Sequence, residues 1–194
     1  MTTTVVKKPT HAAGPVEQDV TLYIGGLHAS ASPALIRTLL GSCISVCLFD
    51  RERQIGGMNH FMLPHGRTGD GDPLKFGVHS MDTLIGSIMK LGGDRRRFVA
   101  KVFGGAHVLD IARSTATVPE QNIAFIREFL REEAISVAAE DVGGFHPRHV
   151  RFYTATGQAF IKRVTTERAC TRVAREESRR ATAPASSGDI TLFE

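Results

Sequence analysis

Two helix-length amphipathic patterns, set against about seven strand-like runs, predict an α+β domain. Several of those runs follow one another without a helix between them, whereas a doubly wound sheet would alternate strand and helix. The patterned region is continuous, about 19–166, and is flanked by aperiodic ends at 1–18 and 167–194.

Val20 to Ile24 is the first strand-like run, closed by Gly25-Gly26. In the next, Ile44, Val46 and Leu48 alternate with Ser45, Cys47 and Phe49, so both faces carry apolar atoms, as in a buried strand. Asp50 to Gln54 forms its turn, and Ile55 to Leu63 is a second strand stopped by Pro64. Residues 64–74 are loop by composition. Met81, Leu84, Ile85, Ile88 and Met89 recur at helical spacing and predict a helix over 76–91, ended by Gly92-Gly93. Phe98 to Phe103 is a strand before Gly104-Gly105. Thr117, Pro119 and Glu120 have the form of a capping box with proline in the first turn. The helix they start carries Ile123, Ile126, Phe129 and Leu130 on one side and runs to about Glu133. Ile135 to Ala139 is a further strand, and a hairpin closes the domain, from His149 to Thr154 and from Gln158 to Val164 around Gly157.

Composition narrows the function. The 194 residues are 42% hydrophobic and 23% charged, enough for a core without staples. No apolar run approaches a membrane span, so no membrane insertion is expected. The N-terminus has two lysines but no apolar stretch of the secretory kind, and the chain reads as cytoplasmic. Cys43, Cys47 and Cys170 make an odd count, read as thiols in a reducing compartment. The net charge of +4 owes much to residues 167–180, with five Arg against three Glu. That block reads as a solvated tail, or as a weak attraction to an acidic partner. Nucleic acid is not expected, since two Tyr and no Trp leave little to stack on bases. The apolar tip Ile190 to Phe193 reads as tail or docking peptide.

The densest chemical signal is Gly41-Ser42-Cys43 at the mouth of the buried strand. Taken alone, Cys43 fits a small core hydrophobe as well as a nucleophile. A thiol after a glycine turn lies near backbone N–H groups able to face a bound carbonyl. On a strand Cys43 and Cys47 share a face about 13 Å apart, too far for one zinc or a disulfide. Cys47 is then the packing residue and Cys43 the exposed one. A thiol nucleophile needs a base. His60 lies on the strand that follows the Cys43 strand after a short turn, so the two side chains meet if they face the same side. The alternative is a hydrogen-bonded core histidine. His65 with Asp70 and Asp72 resembles a weak metal motif in a solvated loop, and His146 and His149 read as surface residues.

In order along the chain, Leu40-Gly41-Ser42-Cys43, Val46-Cys47-Leu48, Gly56 to Pro64, Lys101 to Ala106, Asp141 to Gly144, Pro147-Arg148 and Gly157 resemble the CheD family over about 19–166. The resemblance implies an α/β/β layered sandwich in a single domain, similar to the catalytic domains of deamidating toxins. It implies hydrolysis of selected glutamine side chains on methyl-accepting chemotaxis receptors, with Cys43 as nucleophile, His60 as base and no metal or organic cofactor. Members usually carry a threonine six residues before the cysteine to orient the histidine. Here Arg37 holds that position and Thr38 follows. Neighbours on a regular strand face opposite sides, so Thr38 serves where a bulge re-aims it, and otherwise a carbonyl or water holds His60. Two other functions stay open: an adaptor binding receptors or a CheC-type phosphatase without turnover, and a thiol hydrolase of another kind.

Overall fold

In a computed structural model of the chain, the described residues are 16–64, 73–108, 117–165 and positions 171–173, 175, 177 and 179. Cys170, His65, Asp70, Asp72 and Ile190 to Phe193 lie outside them. Nine strands appear among the described residues: β1 Gln18–Thr21, β2 Leu27–Ser30, β3 Ala34–Leu40, β4 Ile44–Asp50, β5 Ile55–Asn59, β6 Phe98–Gly104, β7 Ser136–Val142, β8 Arg148–Tyr153 and β9 Gln158–Arg163. Two longer helices join them, α1 Gly77–Lys90 and α2 Val118–Glu132. No described helix is long and apolar enough to cross a membrane.

Alternation on β4 organises the core. Ile44, Val46 and Leu48 point to one side, where Met81, Leu84, Ile85 and Ile88 of α1 meet Ile126 and Leu130 of α2. Cys43, Cys47 and Met58 point to the other, against Ile36, Leu40, Val150 and Phe152. A five-stranded sheet, ordered β2-β5-β4-β6-β7, therefore lies between the helices and a four-stranded sheet, ordered β1-β3-β8-β9. This is the predicted α+β class in three layers, helix on sheet on sheet. Each fully buried Leu or Ile contributes roughly 1.5–3 kcal/mol relative to exposure. The parallel β6–β7 pair needs a crossover, and α2 supplies it. The Glu120 carboxylate accepts the Thr117 N–H at 2.9 Å and so caps α2 where its sequence pattern places the start.

Three features differ from the expectation. β2 and β3 were not legible as strands, because short runs such as Ala34 to Leu40 mix apolar and polar residues without a clean period. The strand expected to reach Leu63 ends at Asn59. There the His60 backbone leaves the ladder and pairs with the Gly25-Gly26 turn: Gly25 N–H donates to His60 O at 2.8 Å and His60 N–H to Gly26 O at 2.9 Å. Finally, the described positions between 171 and 179, in the segment read as a basic tail, are helical, with Val173 and Glu177 buried.

Candidate active site

The chain leaves one sheet at Leu40 and enters the other at Ile44, so Gly41-Ser42-Cys43 is the link between the two layers. Its carbonyls are held on the far side. Gly105 N–H donates to Cys43 O at 2.8 Å and Ala106 N–H to Gly41 O at 2.7 Å. Gly104 makes this approach possible: at φ +119°, a Cβ there would stand 2.0 Å from Cys43 O. Asn122 of α2, fully buried, donates to Ser42 O at 3.1 Å and to Met62 O at 2.7 Å. With the carbonyls engaged, the N–H groups of residues 41–43 turn toward the opposite side.

β4 and β5 pair antiparallel with Cys47 opposite Met58, and the same register continues to a bridge between Ile44 and Phe61. Cys43 and His60 therefore lie diagonally across adjacent strand ends. A ligand atom of each, together with a carboxylate oxygen of Glu177, falls within 4.8 Å of the other two. The imidazole lies against Thr38. Its hydroxyl donates to Leu22 O at 3.0 Å and sits 2.8 Å from His60 Nδ1. The hydroxyl has one proton, given to Leu22 O, so its oxygen accepts from Nδ1–H and the basic lone pair of the neutral ring lies on Nε2.

Thr38 reaches this position without a bulge. β3 pairs with β8 in continuous register from Leu35 to Leu40, and the face carrying Ile36, Thr38 and Leu40 is buried. Arg37 faces outward and pairs with Asp19. The six-residue offset of the family points to Arg37, but Gly41 to Cys43 is not strand, and the residue that β3 turns inward is Thr38, five before the cysteine.

Cys47 is buried in the inter-sheet core, and its thiol is pushed well above the usual value by burial, against a smaller opposing pull from Lys101. His146 and His149 are exposed, as expected. Cys43 is not the exposed thiol expected of it: its relative exposure is 0%. Glu177 covers it. The carboxylate accepts from Gly41 N–H at 2.8 Å, Ser42 N–H at 2.9 Å, Ser42 Oγ–H at 2.7 Å and Cys43 N–H at 3.5 Å. Burial first, then the Glu177 charge and its hydrogen bond, push the Cys43 thiol well above its ordinary value, with Ser42 pulling slightly the other way. The thiol is neutral in this arrangement. Cys, His and Glu at this spacing also resemble a metal ligand set. Yet the Glu177 oxygens already face backbone N–H donors, an environment suited to an anion rather than a cation.

Asn122 and Glu177 were missed from the sequence. Asn122 lies on the helix face next to Ile126, where a lone polar residue carries no pattern of its own. Glu177 lies in a run of charges that reads as solvated.

A family model described as CheD chemotactic sensory transduction matches residues 62–163. A relative from Thiobacillus denitrificans, named probable chemoreceptor glutamine deamidase CheD, is 42% identical over 87% of this chain and 86% of its own length. The chain belongs to the CheD family. Relatives of the same name from Xanthomonas axonopodis pv. citri and Stenotrophomonas maltophilia are 43% and 42% identical over 82% of the chain and 81% of their own lengths. The family model begins at Met62, past Cys43 and His60, so the pair of CheD residues expected to do chemistry rests on geometry and on the resemblance of their own motifs.

Proposed function

We propose that this CheD protein hydrolyses glutamine side chains of methyl-accepting chemotaxis receptors to glutamate, through a thioester on Cys43. The observation that carries the reading is convergence: the thiol, the imidazole and the N–H groups of residues 41–43 meet at one point. The relatives' name, probable chemoreceptor glutamine deamidase, supports a receptor glutamine as the substrate.

His60 takes the thiol proton, and the thiolate attacks the carboxamide carbon. The developing oxyanion accepts from the N–H groups of the 41–43 turn, which are fixed before the reaction and need no reorganisation. Protonated His60 gives its proton to the departing nitrogen, and ammonia leaves. Water, deprotonated by the now neutral ring, attacks the thioester and releases glutamate and the thiol. Thr38 is a positioning residue that holds the ring by Nδ1. An acid–base partner of this kind contributes about 10²–10⁴-fold. The reaction needs a reduced thiol, which fits a cytoplasmic setting.

The test incubates purified receptor with the protein and follows each glutamine by peptide mass spectrometry. Conversion by the wild type that is lost in Cys43→Ala supports the reading. Equal conversion by both overturns the nucleophile, and receptor binding without ammonia release favours an adaptor for receptors or a CheC-type phosphatase.

A further inference from the structure

Glu177 is a carboxylate brought by a helix to the place where a glutamine deamidase would release one. Glu is almost never buried unless paired, and this one is paired with the backbone donors of the nucleophile turn and, among the described residues, with no arginine or lysine. One helical turn earlier, Val173 is buried on the same face, while Thr171, Arg172, Arg175 and Arg179 are exposed. Val173 and Glu177 line one cavity of about 100 Å³ with Leu22, Tyr23, Ile24 and Leu39. The helix is thus held by an apolar anchor and a carboxylate four residues on, and it does not fill its groove.

We propose that the C-terminal helix is a tethered product mimic: Glu177 occupies the carboxylate position of a released glutamate, Val173 anchors the helix in the apolar groove, and the substrate must displace both. This rests on the deamidase reading and deepens it, because it makes the substrate an α-helical segment that lays the reactive side chain on the 41–43 turn from the same direction. It also explains how a sulfur needed for catalysis has no exposure in this state: the covering group belongs to the helical positions between 171 and 179 rather than to the two sheets.

The distinguishing experiment makes the mimic reactive. In Glu177→Gln the groove holds a carboxamide in place of the carboxylate. Cys43 Sγ then bonds to its Cδ, the C–N bond breaks, and nitrogen leaves as ammonia with the proton from His60. Water cleaves the C–S bond, returning glutamate at 177 and the free thiol. Peptide mass spectrometry of the full-length Glu177→Gln protein reads carboxylate at 177, at a rate independent of protein concentration, and carboxamide when Cys43→Ala is added. A second readout needs no turnover: alkylation of Cys43 by iodoacetamide, resolved from Cys47 and Cys170 by peptide, rises about tenfold or more in Val173→Asp and Glu177→Ala over wild type, as expected when a closed state is removed.

If Cys43 labels equally fast in wild type, Val173→Asp and Glu177→Ala, the helix does not cover the site and the proposal fails, whatever the receptor assay gives. A carboxamide that persists at 177 while Glu177→Ala converts receptor also overturns the mimic and leaves the deamidase standing. No conversion of receptor or of position 177 by any variant removes the deamidase reading, and the mimic with it.

Discussion

A histidine serves as a base only when one ring nitrogen is committed elsewhere and the other keeps its lone pair for the thiol. Thr38 makes that commitment by giving its single proton to Leu22 O and accepting from Nδ1–H. Thr38→Val keeps the shape and removes the acceptor, so it lowers kcat for receptor conversion about 10–100-fold, by analogy with groups that orient metal-bound imidazoles, with little change in KM. Thr38→Ser retains most of the rate, a recovery that a purely structural role would not produce. Asn122 acts on the same turn from the helix layer. Asn122→Ala leaves Ser42 O and Met62 O buried without its N–H groups, and urea unfolding will read a loss of about 2 kcal/mol. That Cys43 and His60 come close was legible from two successive strand-like runs joined by a short turn, whereas their roles were implied only by the family resemblance of the motifs around them. Asn122 and Glu177 were not legible, because one polar residue on an amphipathic helix and one acid in a charged run look like ordinary solvated positions.

Among the elements, the helices were the most legible, since their apolar stripes repeat over three or four turns. α1 and α2 fall within a residue or two of the expected limits, and the Thr117–Glu120 box marks the start of α2. β2 and β3 are short or mixed, and what makes them strands is pairing with β5 and β8, partners distant in sequence. The Gly104-Gly105 pair was visible as a strand end, but its purpose appears only when β6 lies beside β4 and Gly104 touches Cys43 O. Gly104→Ala forces both a left-handed conformation and a collision with that carbonyl. The strain alone is about 1–3 kcal/mol, and the variant will melt lower and deamidate more slowly than its residual folding predicts.

Over the whole molecule, acid stability gathers at one end of β4. The buried Asp50 carboxylate accepts from Arg97 at 2.8 Å, from Asp94 N–H at 2.9 Å and from Arg53 N–H at 3.2 Å. Burial alone would raise its pKa, but the Arg97 hydrogen bonds and backbone donors prevail and hold it far below the ordinary carboxylate range. A depressed native pKa stabilises the fold above the unfolded-state value near 4, and the contribution fades as the pH falls below it. Chemical unfolding of the wild type will therefore weaken below about pH 4, whereas Asp50→Asn will be less stable by about 3 kcal/mol at neutral pH and flatter in acid.

The sulfur sits where the backbone crosses from one sheet to the other, and the ring beside it follows directly on β5 of one sheet while the hydroxyl against the ring belongs to β3 of the other. A slight slip of the two sheets, with every strand still intact, would carry the Thr38 hydroxyl away from the His60 ring on which the proposed reaction depends. Mild urea should therefore silence turnover at concentrations that leave the far-ultraviolet circular dichroism unchanged, so that enzymatic output works as a strain gauge on the seam between the layers.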